Sequence, residues 1–145
     1  MPNRIISNII ADRPLVSGSP DMTVRAACRL MAEKKIGALL VVEGKRIAGI
    51  FTERDALNKV LAGSLDPDKT KLAEVMVHEP RTIREDKPLS YALQFMADGG
   101  FRHVPVTDAS GAPVGMVSAR DALGKDMVQL EQDLAFREHL EENIG

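Results

Sequence analysis

Apolar residues recur along this chain in a pattern that is written twice. Val24, Ala27, Cys28 and Met31 stand at i, i+3, i+4 and i+7, and Leu89, Ala92, Leu93 and Met96 repeat the spacing 65 positions later. That spacing gathers each set on one face of a helix. Asp21 and Asp86, at the same offset, precede these helices as expected N-caps. Residues 39–42 and 47–51 are nearly continuous apolar runs, which predicts strands buried on both faces or at a seam between sheets. Residues 104–106 repeat the first run, again 65 apart. Glu43-Gly44-Lys45 and Asp108-Ala109-Ser110-Gly111 read as hairpin turns; the second is one residue longer, so the offset becomes 66 beyond it. A hairpin loop is where a duplicated fold tolerates an insertion. Asp98-Gly99-Gly100 predicts a helix end closed by a left-handed glycine.

After each hairpin comes one short motif. Gly49-Ile50-Phe51-Thr52-Glu53-Arg54-Asp55-Ala56-Leu57 returns as Gly115-Met116-Val117-Ser118-Ala119-Arg120-Asp121-Ala122-Leu123. An apolar run that ends in Thr or Ser and then turns helical places that hydroxyl at the N-cap. The aspartate falls in the first turn, where free backbone N–H groups attract oxygen anions. A hydroxyl residue followed three positions later by a carboxylate is also an ordinary capping box. Duplication in matched surroundings is what points beyond capping, to a pair of sites.

The lead-ins repeat too. Ile5, Ile6, Ile9 and Ile10 precede Arg13-Pro14-Leu15-Val16-Ser17, and Leu72, Val75 and Met76 precede Pro80-Arg81-Thr82-Ile83. Each is a helical turn, a proline and an extended entry. The expected plan is therefore a first repeat over 4–62, a polar linker at 63–69, a second repeat over 70–128 and a helical tail at 129–145. Each repeat reads as lead-in, strand, helix, strand, hairpin, strand and helix. A unit of about 60 residues buries too little surface to stand alone, so the two are expected to pack together with their Thr/Ser-x-x-Asp turns in equivalent clefts. From Asp121 to Gly145 the pattern predicts one long helix. Its seam of Leu123, Met127, Leu130 and Leu134 shifts to Phe136, Leu140 and Ile144. That helix would pack on its own body or on a partner subunit.

Composition narrows the function. With 44% hydrophobic and 28% charged residues, the 145-residue chain can build a real core. A net charge of −2 supplies no global field toward nucleic acid or anionic lipid. Only 3% of residues are aromatic and none is Trp, which argues against stacking platforms for single strands. No run of 18 apolar residues and no signal-peptide pattern occurs, so a cytoplasmic protein is expected. Cys28, the single cysteine, reads as a packing residue. His78, His103 and His139 lack metal-ligand spacing, and no nucleophile–base set or glycine-rich phosphate loop stands out. Neither a metal site nor catalytic residues are expected.

What remains is binding. Thr52 with Asp55, and Ser118 with Asp121, suit a phosphorylated ribose, because a carboxylate accepts paired bonds from a vicinal diol while a hydroxyl meets a phosphate oxygen. Arg102-His103 and Arg120 add positive charge beside the second motif. Gly37-Ala38 occupies the matching place in the first unit, which keeps only Arg54. The second cleft is therefore expected to favour the more anionic ligand, with His103 protonated against its phosphate.

Val75-Met76, Pro80, the Leu89 to Met96 helix, His103-Val104-Pro105-Val106 and Gly115-Met116-Val117-Ser118-x-x-Asp121 together resemble a tandem pair of CBS domains, the Bateman module. The resemblance covers nearly the whole chain. It implies an α/β fold of two β-α-β-β-α repeats packed sheet to sheet about a pseudo-two-fold axis, plus a C-terminal helix. It also implies head-to-head or head-to-tail homodimers and regulatory binding of AMP, ADP, ATP, an NAD-type dinucleotide or S-adenosylmethionine. By the same resemblance, Thr52, Arg54 and Asp55 hold one ribose-phosphate, with Arg81, Thr82 and Ile83 beside its adenine. Met116, Ser118, Arg120 and Asp121 hold the other with Arg102 and His103, and Val16 and Ser17 lie beside its adenine. The expectation is a stand-alone sensor module with no enzymatic activity, read by an unidentified protein target. The alternative is a ligand-independent interaction module that works through dimerisation and its C-terminal helix.

Overall fold

The computed structural model describes residues 4–123 together with Asp133, Leu134 and Arg137. The chain opens with α1 (Ile6–Ile10), then β1 (Ser17–Gly18), α2 (Val24–Lys34), β2 (Ala38–Glu43), β3 (Arg46–Thr52) and α3 (Glu53–Asp55). A π-helical stretch, Ala56–Leu61, continues α3, with Ala62 N–H donating to Leu57 O at 2.9 Å. The plan then repeats as α4 (Leu72–Val75), β4 (Val77–His78), β5 (Ile83–Arg84), α5 (Leu89–Gly99), β6 (His103–Thr107), β7 (Pro113–Ser118) and a 3₁₀ turn at Ala119–Ala122.

The apolar spacing is realised as read. Val24, Ala27 and Met31 are buried along α2, and Leu89, Ala92 and Met96 along α5. Cys28 is half-buried against the first core, and burial pushes its thiol above the ordinary range, as suits a packing residue. The N-caps differ from expectation. Thr23 caps α2, its Oγ1 accepting from Ala26 N–H at 3.2 Å, and Pro88 precedes α5. Asp21 sits 4.0 Å from Lys71 instead, and Asp86 accepts from Arg84. Gly100 closes α5 at φ 71°, and Gly44 and Gly111 turn the hairpins at φ 64° and 89°.

One sheet runs β1-β2-β3-β4 and the other β5-β6-β7. In each, a short parallel strand precedes an antiparallel hairpin: Ser17 pairs with Leu40 and Ala38 with Thr52, while Ile83 pairs with Val106 and His103 with Ser118. Both cores are apolar, and they do not follow sequence order. Leu72, Val75 and Met76 of the second lead-in pack with Val24, Leu39 and Phe51 in the first core. Ile6 and Ile10 of the first lead-in pack with Leu89, Val104 and Val117 in the second. Backbone bonds fix the exchange: Ile6 N–H donates to Lys87 O at 3.0 Å and Leu89 N–H to Arg4 O at 2.7 Å, and β4 adds to β3 through Gly49 and His78. The lead-in that each repeat was expected to keep is therefore given to the other.

The exchange explains the glycine that opens both motif copies. A Cβ at Gly49 would lie 2.7 Å from the Val77 carbonyl oxygen, and one at Gly115 would lie 3.0 Å from Ile10 Cδ1. Each glycine is the point where the foreign lead-in crosses the sheet. The single tail helix expected from Asp121 does not start there. The 3₁₀ turn ends at Ala122 and Leu123 is extended, at φ −71° and ψ 141°. Gly124 follows in the sequence where the first unit has Asn58, and glycine is a poor helix former. Leu134 is helical and exposed. The remaining seam residues, Met127, Leu130, Phe136, Leu140 and Ile144, lie outside the described residues. Among those described, no helix is long and apolar enough to cross a membrane.

Candidate functional site

Both repeated motifs fold as capping boxes, and both boxes open onto clefts. At the first, Thr52 is extended at the end of β3, and its Oγ1 accepts from Asp55 N–H at 3.2 Å. Asp55 Oδ2 accepts from Thr52 N–H at 3.0 Å and from Thr52 Oγ1 at 3.1 Å. Its Oδ1 lies 3.2 Å from Lys59 Nζ, which also donates to Val75 O at 2.8 Å. Asp55 is thus a buried carboxylate, 8% exposed, with a cation on one oxygen and its helix start on the other. At the second box, Asp121 Oδ2 accepts from Ser118 N–H at 2.8 Å. Here the cation comes from far away in sequence. Arg13 grips both carboxylate oxygens, at 2.5 and 3.1 Å, and Arg4 donates to the Asp121 carbonyl.

The first cleft has a volume of about 760 Å³. Thr52, Arg54 and Asp55 form one wall, with Pro80 and Arg81 of the second lead-in opposite. Arg81 lies 3.7 Å over the Phe95 ring, a cation–π contact that holds its guanidinium in place. Glu79, also in the lining, is left-handed at φ 47°. The second cleft, about 680 Å³, is walled by Met116, Ser118, Arg120 and Asp121, with Arg13 and Val16 of the first lead-in opposite. Each cleft is therefore roofed by the lead-in of the other repeat.

Not every expected residue arrives. Ile83 is 5% exposed in the second core and pairs with Val106, so it faces packing rather than a cleft. Thr82 and Ser17 are exposed and line neither cleft; Ser17 is spent on the β1–β2 pair. Arg102 and His103, expected at the second cleft alone, line both, as do Gly37 and Glu53. Residues of both units make this common wall, each pair joined within its own unit: Glu53 N–H donates to Gly37 O at 3.0 Å, and Ala119 N–H to Arg102 O at 2.9 Å. The contrast first drawn between Arg102-His103 and Gly37-Ala38 therefore does not separate the clefts. His103 is half-buried. Burial pushes its imidazole below the ordinary histidine value, Glu53 and Asp121 oppose that shift, and Arg102 adds to it.

Sequence reading missed Arg13, Lys59 and Glu53. Lys59 carried a signal, since it stands four residues after Asp55 on a helix. Arg13 carried none, lying 108 residues from its partner. Chemically, each cleft offers a buried carboxylate for a diol, an aliphatic roof from a lead-in, and cations for an anionic group.

A family model for the CBS domain matches residues 6–62 and again 72–127. The chain belongs to the CBS domain family. It is 33% identical over 115 residues to an uncharacterised protein of Methanopyrus kandleri, covering 79% of this chain and 59% of that protein. It is 35% identical over 113 residues to a CBS domain-containing protein of Arabidopsis thaliana, covering 77% of this chain and 21% of the relative. The chain thus spans well under two thirds of these relatives' length. Among solved structures, a CBS domain protein of Pyrobaculum aerophilum complexed with AMP superposes with a TM-score of 0.76 at 28% identity, over 88% of this chain and 97% of that one. A protein with CBS domains from Burkholderia ambifaria gives 0.74 at 34% identity, over 80% and 88%. This is a CBS domain pair of mixed α/β architecture.

Proposed function

We propose that this CBS pair is a sensor that binds adenosine-containing ligands in the two clefts, without transforming them. One observation carries the reading: the same hydroxyl-x-x-Asp box occurs twice, each time with its carboxylate buried at the edge of a cleft large enough for a nucleoside. The AMP complex of the Pyrobaculum relative supports the ligand class. In this reading Asp55 and Asp121 accept the ribose diol, and Val16 and Pro80 stand beside the base. Lys59 and Arg13 keep the carboxylates aimed, and with the capping bonds counted each carboxylate keeps one lone pair free for a ribose hydroxyl.

Calorimetric titration of adenosine and AMP, each against its 2′-deoxy form, tests the diol. Asp55→Ala and Asp121→Ala should each weaken the ribo ligand at one cleft by about 1.5–3 kcal/mol, the scale of a hydrogen bond to a charged group. Equal affinity of the ribo and 2′-deoxy forms would remove the role assigned to the two aspartates.

A further inference from the structure

The shared wall cannot separate the clefts by charge, but the rest of their linings does. Among the described residues, the second cleft is lined by five cationic side chains, Arg13, Lys34, Lys35, Arg102 and Arg120, against two carboxylates, Glu53 and Asp121. The first is lined by three cations, Arg54, Arg81 and Arg102, against three carboxylates, Glu53, Asp55 and Glu79. Arg13 is committed to Asp121 and Arg102 serves both clefts. Arg120 has its counterpart in Arg54 of the first motif, so the cations peculiar to the second cleft are Lys34 and Lys35.

These two lysines end α2 and turn toward β2. Lys35 is held left-handed at φ 56°, its N–H donating to Ala32 O at 3.3 Å. Neither enters an ion pair among the described residues, although Arg25, nine residues before Lys34 on the same helix, is tied to Asp68. No cation of the first cleft's lining corresponds to them, since Gly99 and Gly100 stand at the matching positions in sequence. An anionic chain running along the second cleft would meet both lysines.

We infer that the second cleft takes an adenosine compound carrying two or more phosphate groups, its phosphate chain reaching Lys34 and Lys35, while the first takes an adenosine compound of little net charge. The inference rests on the adenosine reading above and assigns a different ligand class to each cleft. Both lysines are exposed, so their effect is that of two screened charges rather than a buried pair.

The test uses Asp55→Ala protein, in which the second cleft is the one left intact, titrated with adenosine, AMP, ADP, ATP and inorganic tripolyphosphate. Lys34→Gln with Lys35→Asn removes the charges, and asparagine tolerates the left-handed backbone at 35. The same change at Lys45 and Lys69, which line neither cleft, controls for net charge. ADP and ATP should bind more tightly than AMP and lose about tenfold in the Lys34/Lys35 variant, with adenosine held within about twofold. Their affinity should also fall with added salt. If adenosine binds but ADP and ATP are unaffected by the lysine changes, or are affected equally by the control, this inference is overturned while the adenosine reading stands. Tripolyphosphate binding as tightly as ATP would also overturn it, since the nucleoside would then contribute nothing. Failure of adenosine, AMP, ADP and ATP alike would sink the adenosine reading, and this inference with it.

Discussion

Gly49→Ala is the most direct probe of the exchanged lead-ins. The added Cβ would sit 2.7 Å from the Val77 carbonyl oxygen and 2.7 Å from Met76 Sδ. An unstrained carbon–oxygen contact needs about 3.3 Å, so β4 must retreat by about 0.6 Å or lose its pairing with β3. Overpacking of this kind costs about 1–3 kcal/mol. Replacing glycine also restricts the unfolded chain, which offsets about 0.4–1 kcal/mol. The net loss should be about 1–2 kcal/mol, or a fall in Tm of about 2–8 °C for a chain of this size. Gly115→Ala is the internal control, because its nearest neighbour is the Ile10 Cδ1 methyl at 3.0 Å, the far end of a side chain that rotates aside. It should change stability by less than about 0.5 kcal/mol. Urea titration reads both, with an unchanged slope marking an unchanged unfolded state. A neutral Gly49→Ala, or a Gly115→Ala that costs more, would refute the crossing geometry.

Ile6→Ala should destabilise by about 2–5 kcal/mol, as expected for a fully buried isoleucine. Hydrogen exchange should show the loss in β6 and β7, since loss in β2 and β3 would mean that the lead-in serves its own repeat. His103 gives a pH signature. Its folded value lies below its unfolded one, so between the two the unfolded chain holds the extra proton and stability rises with pH. Ligand-free protein should lose stability as pH falls from neutrality through the histidine range, and His103→Gln should flatten that slope in thermal melts. An unaltered slope would place its cause elsewhere.

Much of this fold was legible because it depends on local chemistry. The α2 and α5 stripes, the hairpin glycines, the left-handed Gly100 and both capping boxes follow from spacing that neighbouring residues enforce. Asp21 and Asp86 misled because any short polar residue before a helix reads as a cap, while Thr23 was two positions closer to the helix start. The lead-ins were recognised, and the resemblance set each beside the other repeat's motif, but the core that each one fills was not read. Ile6 and Leu72 are both apolar residues opening a short helix, and nothing in the residue type says which core receives it. Arg13 on Asp121 follows from that exchange and was equally hidden, and the wall shared by both clefts joins residues of the two repeats that no local spacing relates.

The exchange also sets the order in which the chain can fold as it is made. The first core stays open until Leu72, Val75 and Met76 have emerged, and Ile6 and Ile10 wait exposed until β6 and β7 follow. Closing these long loops is slow compared with forming local helices. A nascent chain halted at residue 62 holds neither core complete, although it contains a whole repeat by sequence. The smallest piece that can finish folding is therefore the pair, and a break anywhere in 63–69 would leave two fragments that each carry part of the other's interior.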